Sequence, residues 1–104
     1  MDSVENKILF DALPWHEVAD GLRYKAFQCG GKRLRLLEHS QQFIEPNWCE
    51  KGHAGLVLQG ELEIDFQGDT VIFSEGNGLF IPVGKKHKGR PITPSVLLFL
   101  VEDI

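Results

Sequence analysis

Apolar and polar positions alternate with a period of two through most of the chain, and the runs are cut at short intervals by Gly, Asp, Asn and Pro. That is the pattern of half-buried strands joined by tight turns, and it predicts an all-β sandwich or barrel with very little helix. Asp20-Gly21 marks a hairpin between a strand containing Glu17 and Val18 and one over residues 22–28, and Gly30-Gly31 marks a second turn. Residues 32–43 predict one longer strand with a bend, followed by a loop over residues 44–52 that holds Pro46, Asn47, Trp48 and Cys49. Further strands are expected over residues 70–74, 78–82 and 95–101, the last with an unbroken apolar run from Val96 that predicts burial on both faces.

Between the loop and residue 70, Leu56-Val57-Leu58 and Leu62-Glu63-Ile64 flank Gln59-Gly60, which read as the central pair of a two-residue hairpin. In that register Leu58 faces Glu61, Val57 pairs with Leu62, Gly55 with Ile64 and His53 with Phe66. That face is apolar except for His53. Glu61, Glu63 and Asp65 occupy the opposite face, which is therefore expected outside, so His53 is directed inward. Ala54, Leu56 and Leu58 make the outer face more apolar than solvent alone requires, and a homodimer contact is the expected use.

A chain of 104 residues supports one hydrophobic core, so a single domain over residues 1–104 is expected, with an N-terminal arm (residues 1–16) and a barrel (residues 17–104). The net charge of -4 argues against a polyanion partner, and the one basic run, Lys85, Lys86, Lys88 and Arg90, reads as a solvated turn; no nucleic-acid partner is expected. No stretch has the length of a membrane span, the first ten residues do not resemble an export signal, and two cysteines make no disulfide framework. The expectation is a cytoplasmic protein with no membrane partner.

Gly76, Pro82, Gly84 and His87 stand at the spacings of the pattern G-x5-P-x-G-x2-H-x3-N, with Pro91 in place of the final Asn. Physically, Gly76 is read as permitting close approach to a strand, Pro82 as setting φ at its end, and Gly84 as the turn that returns His87 toward the barrel mouth. By these residues the chain resembles the cupins, over roughly residues 22–101. The resemblance implies a double-stranded β-helix, the RmlC-like jelly-roll barrel, with a metal or small molecule inside. The other cupin motif, G-x5-H-x-H-x3,4-E-x6-G, is met in outline only. Gly60 fits its last glycine, while His53 stands where Glu is usual, Cys49 at the second His and Asn47 at the first.

The candidate metal ligands are therefore His53, His87 and Cys49, and imidazole with thiolate suits a divalent transition metal such as zinc, iron, copper or nickel, with manganese a further candidate. Trp48, His39 and Phe80 are candidate walls of a ligand pocket. Each also has an ordinary reading: a buried His is often a satisfied core group, a Cys a small hydrophobe, an aromatic simple packing. Asn47 is a poor metal ligand and Glu50 reads as a solvated loop charge. A thiol nucleophile at Cys49 is disfavoured because no helix N-terminus is predicted beside it. Three functions follow: a metal-dependent enzyme acting on a compact substrate, a metal-free ligand-binding or sensor module, and a structural homodimer with a vestigial pocket.

Overall fold

The computed structural model describes residues 3, 4 and 6–104; Met1, Asp2 and Glu5 of the predicted arm lie outside the described residues. Strands β1 (Ser3–Val4) and β2 (Lys7–Ile8) form a small antiparallel pair, followed by a short 3-10 turn, Phe10–Ala12. The remaining strands are β3 (His16–Ala19), β4 (Leu22–Cys29), β5 (Lys32–Ser40), β6 (His53–Gln59), β7 (Glu61–Asp65), β8 (Thr70–Ser74), β9 (Gly78–Ile81), β10 (Lys88–Pro91) and β11 (Ser95–Asp103). They build a six-stranded sheet in the order β3-β4-β5-β11-β6-β9 and a three-stranded sheet in the order β10-β7-β8, all antiparallel. The all-β jelly-roll expectation holds.

Alternation explains the packing. Val57, Leu62, Ile64, Leu79, Ile81, Val96, Leu98 and Leu100 form one buried cluster between the sheets, with Leu37, Phe66 and Phe73 packed against it. Glu61, Glu63 and Asp65 alternate with Leu62 and Ile64 and point outward, as expected. The turns at Gly21 (φ 84) and at Gly30 and Gly31 (φ 59 and 77) also stand where the pattern placed them.

Three expectations need correction. Gln59-Gly60 is not a hairpin: β6 lies in the large sheet against β11 and β9, and β7 in the small sheet against β8 and β10. The chain crosses between sheets at Gly60 (φ 85), where a Cβ would stand 2.5 Å from the Ser95 carbonyl oxygen and 2.6 Å from Thr93 Oγ1. A positive-φ glycine with no room for a side chain serves a sheet crossing as well as a hairpin, and both keep the alternation, so His53, Val57, Leu62 and Ile64 still share the interior. Part of the basic run is strand rather than solvated turn, since Lys88 and Arg90 lie on β10, opposite Asp65 and Glu63 of β7.

Gly76 does approach a strand as expected, its amide donating to the Val57 carbonyl of β6 at 2.9 Å with a φ of 89, and among the described residues no atom stands within 4 Å of a Cβ there. β11 is not buried on both faces. Val96, Leu98, Leu100 and Glu102 are buried on the inner side, while Leu97, Phe99 and Val101 are partly exposed on the outer. The N-terminal arm covers part of that outer face of its own chain: the Phe10 ring meets Phe99 edge-on at 6.3 Å, and Lys25 Nζ donates to the Phe10 carbonyl at 3.0 Å.

Candidate metal centre

The loop over residues 44–52 returns to the barrel through a single antiparallel bridge, in which the Cys49 and His87 amides each donate to the other's carbonyl at 2.9 Å. The bridge sets Cys49 beside His87. His53 begins β6 with the inward phase of Gly55 and Val57, opposite Ile81 of β9. Cys49, His53 and His87 thereby offer one sulfur and two ring nitrogens, all within 4.8 Å of one another. The two rings meet edge-on at 5.4 Å, Cys49 Sγ lies 3.9 Å from His53 Nε2, and Phe66 flanks His87 at 6.3 Å.

Both imidazoles are oriented by acceptors behind them. His53 Nδ1–H donates to Glu102 Oε2 at 2.7 Å, and His87 Nδ1–H donates to the Lys85 carbonyl at 2.8 Å. A carboxylate and a carbonyl only accept, so the proton of each neutral ring sits on Nδ1 and the Nε2 lone pair is left for a ligand. This is the arrangement in which an outer hydrogen bond fixes the tautomer of a metal-binding histidine.

Glu102 escaped the sequence reading, although it lies in phase with Val96, Leu98 and Leu100 at the end of β11. It is buried and accepts from Arg33 Nε at 3.0 Å and Arg35 Nη2 at 2.6 Å as well as from His53. Burial works to raise its pKa, but the hydrogen bonds from His53 and Arg35 and their charges outweigh burial and hold it at about 2. The folded state therefore favours the ionised form, and that contribution is complete above pH 4.5 and lost as pH falls through about 2. In metal-free protein, Glu102→Gln is expected to flatten the loss of unfolding free energy across this window by about 3 kcal/mol, read as the difference between the two denaturation-against-pH curves. Parallel curves would contradict the assignment.

An inner cavity of about 330 Å³ opens beside the three donors. His39 lines it and is buried, its Nε2–H donating to the Phe43 carbonyl at 3.0 Å. Asn47, Glu45, Lys51 and Arg35 also reach it, and Glu45 Oε1 accepts from the Gly89 amide at 3.0 Å. Phe80 alternates with the inward Leu79 and Ile81 and is 79% exposed; it lines, with His53, Ile81 and Glu102, an adjoining depression of about 750 Å³ that shares Lys51, His53 and Ile81 with the inner cavity. Trp48 is 38% exposed and is absent from the cavity wall; Lys88 Nζ lies 4.7 Å from its ring centre. Glu50, exposed as expected, lines the adjoining depression.

Solved structures share this architecture. KdgF from a Halomonas species is similar with a TM-score of 0.75 at 20% identity, over 89% of each chain. A cupin-2 domain protein from Shewanella frigidimarina gives 0.66 at 19% identity, over 78% of this chain and 79% of that one. Hydroxypropylphosphonic acid epoxidase from S. wedmorenis gives 0.73 at 16% identity, over 89% of this chain and 56% of that one. At these identities the likeness establishes the fold, which is the cupin barrel. No protein-family model matches the sequence, and no curated protein matches it.

Proposed function

We propose that this cupin-fold chain binds one divalent transition-metal ion through Cys49 Sγ and the Nε2 atoms of His53 and His87, and presents it to a small molecule in the inner cavity. The observation that carries the reading is the convergence of the three donors within 4.8 Å, two of them with their outer nitrogen already hydrogen-bonded. The donor chemistry fits: thiolate and imidazole suit zinc, iron or nickel better than magnesium or calcium, and three protein ligands leave a position open for water or substrate. When bound there, such an ion supplies Lewis-acid polarisation of a ligand oxygen or an activated water.

The chain's own contribution is orientation. Glu102 and the Lys85 carbonyl hold the two rings, and the backbone bridge holds Cys49 against His87. Protein purified without chelator or an affinity tag that carries metal is expected to contain about one metal per chain, or to take one up when zinc, iron, nickel or manganese is offered. His53→Ala, His87→Ala and Cys49→Ser are each expected to weaken binding more than about a hundredfold, beyond the cost of losing an outer partner. Elemental analysis with a competitive chelator titration measures both. Failure to take up any of the four metals would overturn the reading and leave the metal-free ligand module as the better account.

A further inference from the structure

Arg35 carries an anomaly that the metal centre does not explain. Its Nη2 donates to Glu102, yet its Nε–H is buried with no hydrogen-bond partner among the described residues. A buried donor left without an acceptor is destabilising, and an acceptor supplied there relieves the cost. Glu102 is already engaged by Arg33, by Arg35 through Nη2 and by His53, and it does not accept from Arg35 Nε.

The surrounding charge is unbalanced in the same sense. In the wall of the inner cavity Arg35 and Lys51 stand against Glu45, and behind that wall Arg33 and Arg35 share Glu102, so this group of five residues carries an excess of one positive charge before any metal is counted. Glu45 does not pair with Arg35; it caps the Gly89 amide. Apart from these groups and the polar His39, Asn47, Cys49, His53 and His87 the wall is apolar, with Leu37, Leu62, Leu79 and Leu98 among its residues, so Arg35 acts in a poorly solvated space.

We infer that the inner cavity selects a compact organic acid, bearing one or two carboxylates, whose carboxylate is held by Arg35 with Lys51 at the mouth while the rest of the molecule reaches the Cys49, His53 and His87 group. This deepens the metal reading and rests on it for the reacting end of the ligand, though the carboxylate clamp itself consists of protein groups. The cavity volume of about 330 Å³ restricts the ligand to a small molecule. A planar guanidinium favours a carboxylate, and positive charge in a low-dielectric wall discriminates strongly against a neutral analogue.

The test uses the full chain in metal-free form and loaded with zinc, titrated calorimetrically with malonate, lactate and pyruvate, with malonamide and lactamide as neutral counterparts, and with inorganic phosphate. The expected result is at least tenfold tighter binding of the acids than of their amides, with an affinity that falls as salt rises. Arg35→Lys, which keeps a charge opposite Glu102, and Lys51→Gln, at an exposed position, are each expected to lose that preference by tenfold or more. Carboxylates that bind no tighter than amides in both forms would overturn the inference, as would phosphate binding as tightly as the acids. Should none of zinc, iron, nickel and manganese load while the metal-free form still prefers acids, the metal reading falls and the carboxylate clamp stands.

Discussion

Glu102→Ala is expected to lower the unfolding free energy at neutral pH by about 3–5 kcal/mol, because removing one member of a buried ionic group leaves the others uncompensated. The carboxylate receives Arg33 Nε at 3.0 Å, Arg35 Nη2 at 2.6 Å and His53 Nδ1 at 2.7 Å. The two guanidiniums are only 21% and 13% exposed, so water replaces the lost acceptor poorly. Its neighbour Asp103 pairs with Lys32, but both of those side chains are more than half exposed, and Asp103→Ala is expected to cost less than about 1 kcal/mol. Denaturant titration of the two metal-free variants side by side separates the cases; equal, small losses would show that the buried cluster contributes nothing beyond a surface pair.

Gly55→Ala is the second change with a large expected cost, about 3 kcal/mol, at the upper end of what overpacking produces. Gly55 lies on β6 between Leu100 of β11 and Leu79 of β9. An added methyl would collide with the Phe99 carbonyl and stand 3.1 Å from Leu100 Cδ2. Because the first obstacle is backbone, no rotamer change relieves it, and the strand pair itself must separate. Gly76→Ala meets no atom within 4 Å and bears only the strain of its φ of 89. Thermal unfolding of the two variants is therefore expected to differ sharply, with Gly55→Ala much the less stable. Similar midpoints would contradict the close packing of β6 on β11.

Most of the barrel was legible because alternation survives whatever a strand pairs with. His53, Val57, Leu62 and Ile64 share the interior whether Gly60 turns a hairpin or carries the chain from one sheet to the other. Pairing itself was not legible there, since both turns ask for the same glycine. The β10 strand was hidden by its composition: Lys88, Gly89, Arg90 and Pro91 carry little β-propensity, and they pair because β7 offers a ladder edge.

The candidate site was legible by halves. His87 and Cys49 were named from spacing, yet what joins them is a backbone bridge between segments far apart in the chain, which no local pattern records. Parity alone sets Phe80 on the opposite face from its inward neighbours Leu79 and Ile81, so it lines the adjoining depression and not the inner cavity. Glu102 was passed over for the converse reason. Following a run of apolar residues it looks like a solvated terminus, but its phase continues that of Leu98 and Leu100 into the interior, where Arg33 and Arg35 arrive from β5 with the same phase.

The position of β11 bears on how the barrel is assembled in time. It lies between β5 and β6 and pairs with β5 at nine positions, from Ser95 opposite Ser40 to Asp103 opposite Lys32, yet it follows every other strand in the sequence. Until it is added, β5 and β6 each present an open ladder edge, and the pairing that closes them spans most of the chain, which is the costly, slow kind of contact. Residues 1–94 emerging from a ribosome can form the β4–β5 hairpin and the small sheet, but they cannot complete the large one. Folding of this chain is therefore closed by a central strand rather than a peripheral one, and its exposed edges are most open to misassociation just before the last strand docks.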